Sequence, residues 1–139
     1  MKRTGIILAV VFALGTVGGG LGYQRLSAQQ EPVTRTILLR TDMAGVEGKE
    51  VVVVLAEIAP GATTGKHLHA GQEFAYILEG SLAMTMEGQP AVTFQPGQAF
   101  QQPPRQAHEG QNASATAPVK VLAFYLADKG QPLTTAVPK

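Results

Sequence analysis

Residues 61–73 read Gly-Ala-Thr-Thr-Gly-Lys-His-Leu-His-Ala-Gly-Gln-Glu, which places two histidines and a glutamate close together. Because alternate residues of a β-strand project to the same face, His67 and His69 are expected to point together, away from Leu68. Glu73 follows across a short turn, so its carboxylate can reach the same point in space. The chain has three histidines, and the third, His108, lies near a later predicted strand. The spacing predicts a metal site of three imidazoles and one carboxylate.

Each of these residues taken alone has a more ordinary interpretation, since histidines and glutamates on strands are often solvated surface groups. Four of them at this spacing favour metal binding instead. Neutral imidazole and carboxylate ligands suit Fe, Mn, Ni, Cu, Co or Zn, and the residues alone do not choose among these metals.

Short β-strands separated by turns are predicted on both sides of this segment. Upstream, residues 35–40 and the β-branched run 50–58 are expected to be strands, the second of them inside a sheet. Downstream, strands are expected over residues 73–78, 82–86, 92–94, 99–101 and 119–126, with another near His108. Glycine-containing turns separate them, and no amphipathic helix is predicted after residue 28. This organisation indicates an all-β barrel or sandwich.

The composition is that of a single folded domain without covalent cross-links. Of the 139 residues, 45% are hydrophobic and 15% are charged, which is a globular composition. There is no cysteine, which excludes disulfides, thiolate metal sites and cysteine nucleophiles.

The first 28 residues have the pattern of an export signal. Lys2 and Arg3 precede an uninterrupted apolar run over residues 6–14. That run is closer to a secretory signal than to the ~20 apolar residues of a membrane-spanning helix. Ala28 is a candidate for the last residue before cleavage, but Leu26 fits the cleavage pattern poorly, so an uncleaved anchor is the alternative.

These features predict how the chain is divided and where it is found. A signal peptide or signal anchor is expected over residues 1–28, a linker over 29–35, the folded domain over 36–128 and a C-terminal tail over 129–139. Removal of the leader would take away Lys2, Arg3 and Arg25 and change the formal charge from +1 to −2. We expect a periplasmic or secreted protein, or alternatively one anchored in the inner membrane and facing the periplasm.

Two stretches of the chain resemble the two sequence motifs of the cupin superfamily. The first motif is matched at every defined position by Gly61-x5-His67-x-His69-x3-Glu73-x6-Gly80. The second resembles Gly97-x5-Pro103-x-Arg105-x2-His108-x3-Asn112, which has Arg105 where that motif usually has glycine.

The resemblance covers about residues 38–126 and is to small single-domain cupins of type 2, the quercetin-dioxygenase-like group. It implies a jelly-roll β-barrel of six or more strands. It also implies that the metal ligands are His67, His69, Glu73 and His108.

Outside the ligand set, Arg105 is the residue to which we assign a role in the site. An arginine on a loop is usually solvated, but beside a metal its guanidinium could orient a substrate carboxylate or enolate. Gln101 and Gln102 are weaker candidates for the same role. Glu73 could leave the metal and act as a base.

The remaining motif residues are expected to be structural. Three glycines are predicted to occupy turns, and Asn112 is predicted to tie a turn through its side-chain amide. The apolar side chains expected inside the barrel are Leu82, Met84, Met86, Tyr76 and Phe100.

Two hypotheses for function follow. One is a metal-dependent enzyme, either a dioxygenase-like oxidoreductase or an isomerase, acting on a small enolic or phenolic compound. The alternative is a non-catalytic module that binds a metal or a small ligand, which is supported by the absence of a further histidine or a cysteine to move protons.

The expected partner is a small molecule. The domain has no run of Lys or Arg, so nucleic acid is not expected, and membrane contact is expected only through an uncleaved N-terminal segment. A homodimer is also predicted, paired through an edge formed by the N-terminal strand or the strand over residues 50–58.

Overall fold

A computed structural model describes residues 31–138, so the leader predicted over residues 1–28 lies outside the described part of the chain. Residues 31–138 form ten β-strands and no helix. This part of the chain therefore contains no helix that could cross a membrane. The strands are β1 Val33–Asp42, β2 Lys49–Ile58, β3 His67–Leu68, β4 Gln72–Glu79, β5 Leu82–Met86, β6 Val92–Phe94, β7 Ala99–Gln102, β8 His108–Asn112, β9 Val119–Asp128 and β10 Thr135–Ala136.

The strands build two five-stranded antiparallel sheets. Sheet A has the order β1-β2-β9-β4-β7, and sheet B has the order β10-β3-β8-β5-β6. Strands far apart in sequence, such as β2 and β9, are neighbours along their whole length. This arrangement confirms the predicted all-β jelly roll. It also places β2 inside sheet A, so β2 cannot be the dimerising edge, whereas β1 is an edge strand.

The barrel interior follows from strand alternation. On β4, Ala75 and Ile77 are buried, and Phe74, Tyr76 and Leu78 point outward. The expectation that Tyr76 lies inside is therefore wrong: it is 41% exposed, because a period of two sends the residue between two inward side chains to the other face.

The other predicted interior side chains face the barrel core. Leu82 and Met84 belong to the buried core, and Met86 and Phe100 are partly buried against it. The aromatic ring of Phe100 also stacks on Phe94, with ring centroids 4.5 Å apart.

Three elements near the site differ from the predicted boundaries. β1 begins at Val33, inside the predicted linker. β3 ends at Leu68, so His69 follows the strand instead of belonging to it. The predicted C-terminal tail carries β10, where Thr135 lies opposite Leu68 on β3.

Glycines allow the tight connections of the barrel. The three predicted turn glycines all have positive φ: Gly61 at +71°, Gly80 at +72° and Gly97 at +87°. Gly71 acts differently, because a Cβ at this position would collide with the backbone carbonyl of Leu126 on β9. The turn between His69 and Glu73 is thus held tightly against sheet A.

Candidate metal centre

The three histidines converge between the two sheets. His67 begins β3 and His108 begins β8, and the two are cross-strand partners. His69 follows β3 and its ring lies 4.9 Å from the ring of His108, centroid to centroid. The three side chains are buried, and one ring nitrogen from each can be chosen so that all three lie within 4.8 Å of one another.

Backbone carbonyls fix the orientation of all three imidazoles. The Nδ1 of His67 donates to the Gly65 carbonyl at 2.7 Å, that of His69 to the Leu133 carbonyl at 2.6 Å, and that of His108 to the Gln106 carbonyl at 2.9 Å. A carbonyl only accepts, so each Nδ1 carries a proton and Nε2 is the ring nitrogen left to bind a metal. Metal-binding histidines are commonly oriented by bonds of this kind.

The spacing of the Nε2 atoms fits a metal ion. The Nε2 atoms of His69 and His108 are 3.1 Å apart. Two neutral lone pairs at that distance repel unless a proton or a cation lies between them. Nitrogen ligands bind a metal such as zinc at ~2.0–2.1 Å, which places neighbouring ligand atoms about 3 Å apart. The donor set therefore fits a divalent transition metal, and the metal's identity stays open.

Glu73 lies beside this cluster, on the inner face of β4. Its Oε2 is 2.7 Å from the Nε2 of His69 and 4.0 Å from the Nε2 of His108. The structure thus places the carboxylate next to two of the three imidazoles. Its assignment as the fourth ligand remains a prediction.

The surroundings of Glu73 keep it ionised. Burial disfavours the charged carboxylate, but the hydrogen bond and charge of His69 outweigh it, with smaller contributions from His108 and Tyr125. The pKa of Glu73 is therefore held below its usual value.

The surroundings of two histidines keep them neutral. The pKa of His67 is lowered to about 4, mainly because the side chain is buried. The charges of His108, His69 and Arg35 also lower this pKa, whereas the hydrogen bond to Gly65 raises it. Burial also lowers the pKa of His108. Neutral imidazole is the form that binds a metal.

Sequence reasoning missed Tyr125, which stands against the cluster. Its ring centroid lies 5.0 Å from that of His69, and it lines the inner cavity together with Glu73. Burial and the Glu73 charge raise the pKa of Tyr125. The signal in the sequence was alternation, since Tyr125 is the polar residue on the inner face of β9 between Ala123 and Ala127.

The cation near the cluster is Arg35, not the predicted Arg105. Arg35 lies on β1 and lines the inner cavity with His67, Glu73 and Tyr125. Arg105 has an exposed side chain outside that lining. Arg105 acts through its backbone. Its N–H donates to the His69 carbonyl at 2.8 Å, and its φ is +60°, a left-handed conformation that glycine adopts more readily than arginine.

The inner cavity is small. Its volume is about 40 Å³, and apolar side chains, including Ile58, Leu82 and Phe100, line it beyond the histidines. A wider surface groove of about 560 Å³ lies where β5 ends and β8 begins, and it shares only His108 with the cluster. The inner cavity is the relevant one, because several site residues face it together.

Asn112 is structural, as predicted. It is fully buried, and its Nδ2 lies within 3.1 Å of the carbonyls of Ile58, Ala59 and Ala117. Its Oδ1 accepts from the N–H of Ser114 at 3.0 Å. One amide thereby holds three backbone segments together.

Comparison with solved structures gives the same architecture in other proteins. A cupin superfamily protein from Desulfitobacterium hafniense is 21% identical, with a TM-score of 0.57 over 69% of this chain and 78% of its own. The DMSP lyase DddQ from Ruegeria pomeroyi is 20% identical, with a TM-score of 0.63 over 81% of this chain and 55% of its own. The polyketide cyclase RemF from Streptomyces resistomycificus is 18% identical, with a TM-score of 0.60 over 78% of this chain and 75% of its own. At these identities the likeness concerns the fold alone.

Comparison by sequence gives the family. No protein of curated function matches the chain significantly. The family model described as "Cupin domain" matches residues 54–125, more than half of the chain. The match includes both motifs, all three histidines and Glu73. The chain therefore belongs to the cupin superfamily.

Proposed function

We propose that this protein is an exported metal-binding cupin that acts on a small enolic or phenolic compound. The observation that supports this most strongly is the arrangement of the three histidines. Each Nδ1 is held by a backbone carbonyl, and the Nε2 atoms of His69 and His108 face each other at 3.1 Å. Three imidazoles oriented in this way, with a carboxylate beside them, are ready to hold one metal ion.

The chain's own residues divide the work at the site. His67, His69 and His108 would hold the metal, and Glu73 would be the fourth ligand. When bound, the metal would supply Lewis acidity toward a substrate oxygen. Glu73 is also placed to accept a proton from a substrate hydroxyl, and His69, 2.7 Å from its Oε2, orients its carboxylate.

Arg35 and the cavity size suggest the kind of substrate. A guanidinium at the edge of the cavity favours an anionic oxygen compound over a cation. A volume of about 40 Å³ holds little more than one or two water molecules. We infer that only the reacting end of a compound enters, or that the compound itself is small.

The site supports a metal and a kind of substrate more directly than it supports a class of reaction. The family resemblance favours a dioxygenase-like or isomerase reaction, while two structural neighbours are named as a lyase and a cyclase. A second candidate function is a non-catalytic module that binds a metal or small ligand, which the small cavity favours. Assays should therefore cover O₂ uptake, isomerisation, elimination and cyclisation.

The test compares turnover with binding in the full-length chain. Wild-type protein and Glu73→Gln would each be loaded with one metal of the candidate series and offered enolic and phenolic compounds. An enzyme should turn over at least one compound, and Glu73→Gln should lose about 10²-fold or more in kcat, since it removes a proton acceptor. Compounds that raise the melting temperature but are never turned over, with any metal, would replace the enzyme hypothesis with the binding module.

Export is proposed from the sequence of the leader. Cell fractionation should recover the protein in the periplasm or medium, and N-terminal sequencing should find a mature chain that begins at Gln29. A full-length protein in the membrane fraction would support the anchored alternative. A full-length protein in the cytoplasm would contradict both.

A further inference from the structure

Gln102, at the end of β7, has a buried amide without a partner. The residue is fully buried. Among residues 31–138 it is the only one with buried side-chain polar atoms that lack a hydrogen-bond partner, and both Nε2 and Oε1 are affected. Burying an amide without partners is costly, so such a group needs an explanation.

The amide lies in the same row as the site residues of sheet A. Gln102 on β7 is the cross-strand partner of Glu73 on β4, and Glu73 is the partner of Tyr125 on β9. Cross-strand partners share a face of the sheet, with Cβ atoms roughly 5 Å apart. All three side chains are buried on the inner face, so the Gln102 amide lies one strand beyond Glu73.

The backbone of Gln102 is firmly held. Its carbonyl accepts from the Nε2 of Gln72 at 2.9 Å, and β7 pairs with β4 along Glu73–Tyr76. The missing partners therefore do not reflect a loose strand end.

Asn112 shows how this barrel treats an amide that serves the fold. It is as fully buried as Gln102, but both its amide nitrogen and its oxygen have backbone partners. The contrast indicates that no group within residues 31–138 is the partner of the Gln102 amide.

We propose that Gln102 is a ligand-binding residue that recognises two neighbouring oxygens, one ionised and one hydroxyl, as in an enediol or a catechol. Its Nε2 donates to the ionised oxygen and its Oε1 accepts from the hydroxyl, which matches the donor and acceptor of one amide to one pair of oxygens. The inference rests on the proposed function, because it places the ligand beside the histidine cluster and Glu73.

The test uses Gln102→Met in the full-length chain, with Gln101→Met as the matched control. Gln101 is the preceding residue of the same strand, and its side chain is exposed on the opposite face. Each protein would be loaded with Co²⁺ and titrated with 4-nitrocatechol, a coloured compound with two adjacent oxygens. Metal content and the melting temperature of the metal-free protein would be measured alongside.

Gln102→Met should keep its Co²⁺ content and should melt at the wild-type temperature or above it, because it removes an unpaired amide. Its Kd for 4-nitrocatechol should rise about tenfold or more, as expected when a buried hydrogen-bonding group is lost. Gln101→Met should match the wild type in all three measurements.

Two results would overturn the role of Gln102 while leaving the metal centre intact. One is a Gln102→Met protein that binds 4-nitrocatechol as tightly as the Co²⁺-loaded wild type, or a wild type that binds Co²⁺ but not the catechol. The other is a metal-free Gln102→Met protein that melts below the wild type, which would mean that ordered water pairs the amide for structural purposes. A wild type that takes up no Co²⁺ would instead contradict the proposed function itself.

Discussion

Each imidazole of the metal centre is oriented by a different part of the chain. The carbonyl of Gly65 holds His67 from the preceding turn, and that of Gln106 holds His108 from the second motif. The carbonyl of Leu133 holds His69 from near the C-terminus. The geometry of the centre therefore depends on backbone atoms that no side-chain motif describes.

At the residue scale, Arg105 is best tested through its backbone. Its φ of +60° costs about 1–2 kcal/mol for a residue with a Cβ, while glycine adopts the same angle freely. We expect Arg105→Gly to raise the free energy of unfolding by about 0.5–1 kcal/mol after the greater flexibility of unfolded glycine is counted. Arg105→Lys keeps the Cβ and should show no gain. Urea denaturation measures both.

A role of the Arg105 guanidinium in substrate binding would give a different result for the same variant. If its guanidinium oriented a substrate, Arg105→Gly would weaken ligand binding or turnover even where the fold is as stable as the wild type. That outcome would contradict the structural interpretation and restore Arg105 to the site.

The motif residues were predictable because their spacing carries the geometry. Two histidines at alternate positions and a glutamate after a short turn must come close, whatever the rest of the barrel does. Tyr125 and Arg35 were not predictable in this way, since they reach the site from β9 and β1 through sheet pairing. The Leu133 carbonyl was beyond prediction, because a backbone acceptor leaves no mark in the sequence.

At the scale of elements, the C-terminal strap, residues 131–138, is part of the site. Val137 donates its N–H to the Lys66 carbonyl at 3.0 Å, and β10 pairs with β3. Leu133 packs against the buried cluster that contains Tyr125. The strap thus carries the carbonyl that orients His69.

Val137→Pro should weaken metal binding without unfolding the barrel. Proline removes the N–H that fastens the strap to Lys66, so the Leu133 carbonyl should lose its position against His69. We expect the Kd for Zn²⁺ to rise about tenfold, at the lower end of the effect of losing a bond to a metal-binding histidine. Val137→Ala keeps the N–H and serves as the control in a calorimetric titration. Equal affinities for the two variants would show that the strap does not support the centre.

The long strands could be predicted from their β-branched and alternating sequences. The short strands were harder to predict from sequence. The run over residues 50–58 differs from β2 by a single residue at its start. β10 has two residues and no hydrophobic pattern, so only its pairing with β3 defines it. β1 extends into polar residues at both ends because β2 offers partners along the whole length from Val33 to Asp42.

At the scale of the molecule, sheet A carries an apolar row on its outer face. Cross-strand pairing aligns Leu39, Val53, Phe124 and Phe74 across β1, β2, β9 and β4. Leu39 is 50% exposed and Phe74 43% exposed. The row begins at Leu39 on β1, the edge strand. This outer face is where we expect a second copy of the chain.

A two-fold contact would set this row against its own copy. Light scattering coupled to size exclusion should therefore find a dimer. Phe124→Glu should shift it to monomer, and Val92→Glu should not, since Val92 is more exposed, 49% against 36%, but lies on β6 of the other sheet. A wild type that is monomeric at tens of micromolar would contradict the expectation.

The central claim is that His67, His69 and His108 bind one metal ion, and metal content tests it most directly. Elemental analysis by mass spectrometry would be run on the full-length protein, purified without chelators, and on the three single alanine variants, with Gln101→Ala as control. We predict about one transition-metal ion per chain in the wild type and control, and a large loss in each histidine variant. A wild type that binds no transition metal even after incubation with the candidate ions, or histidine variants that keep full occupancy, would contradict the account.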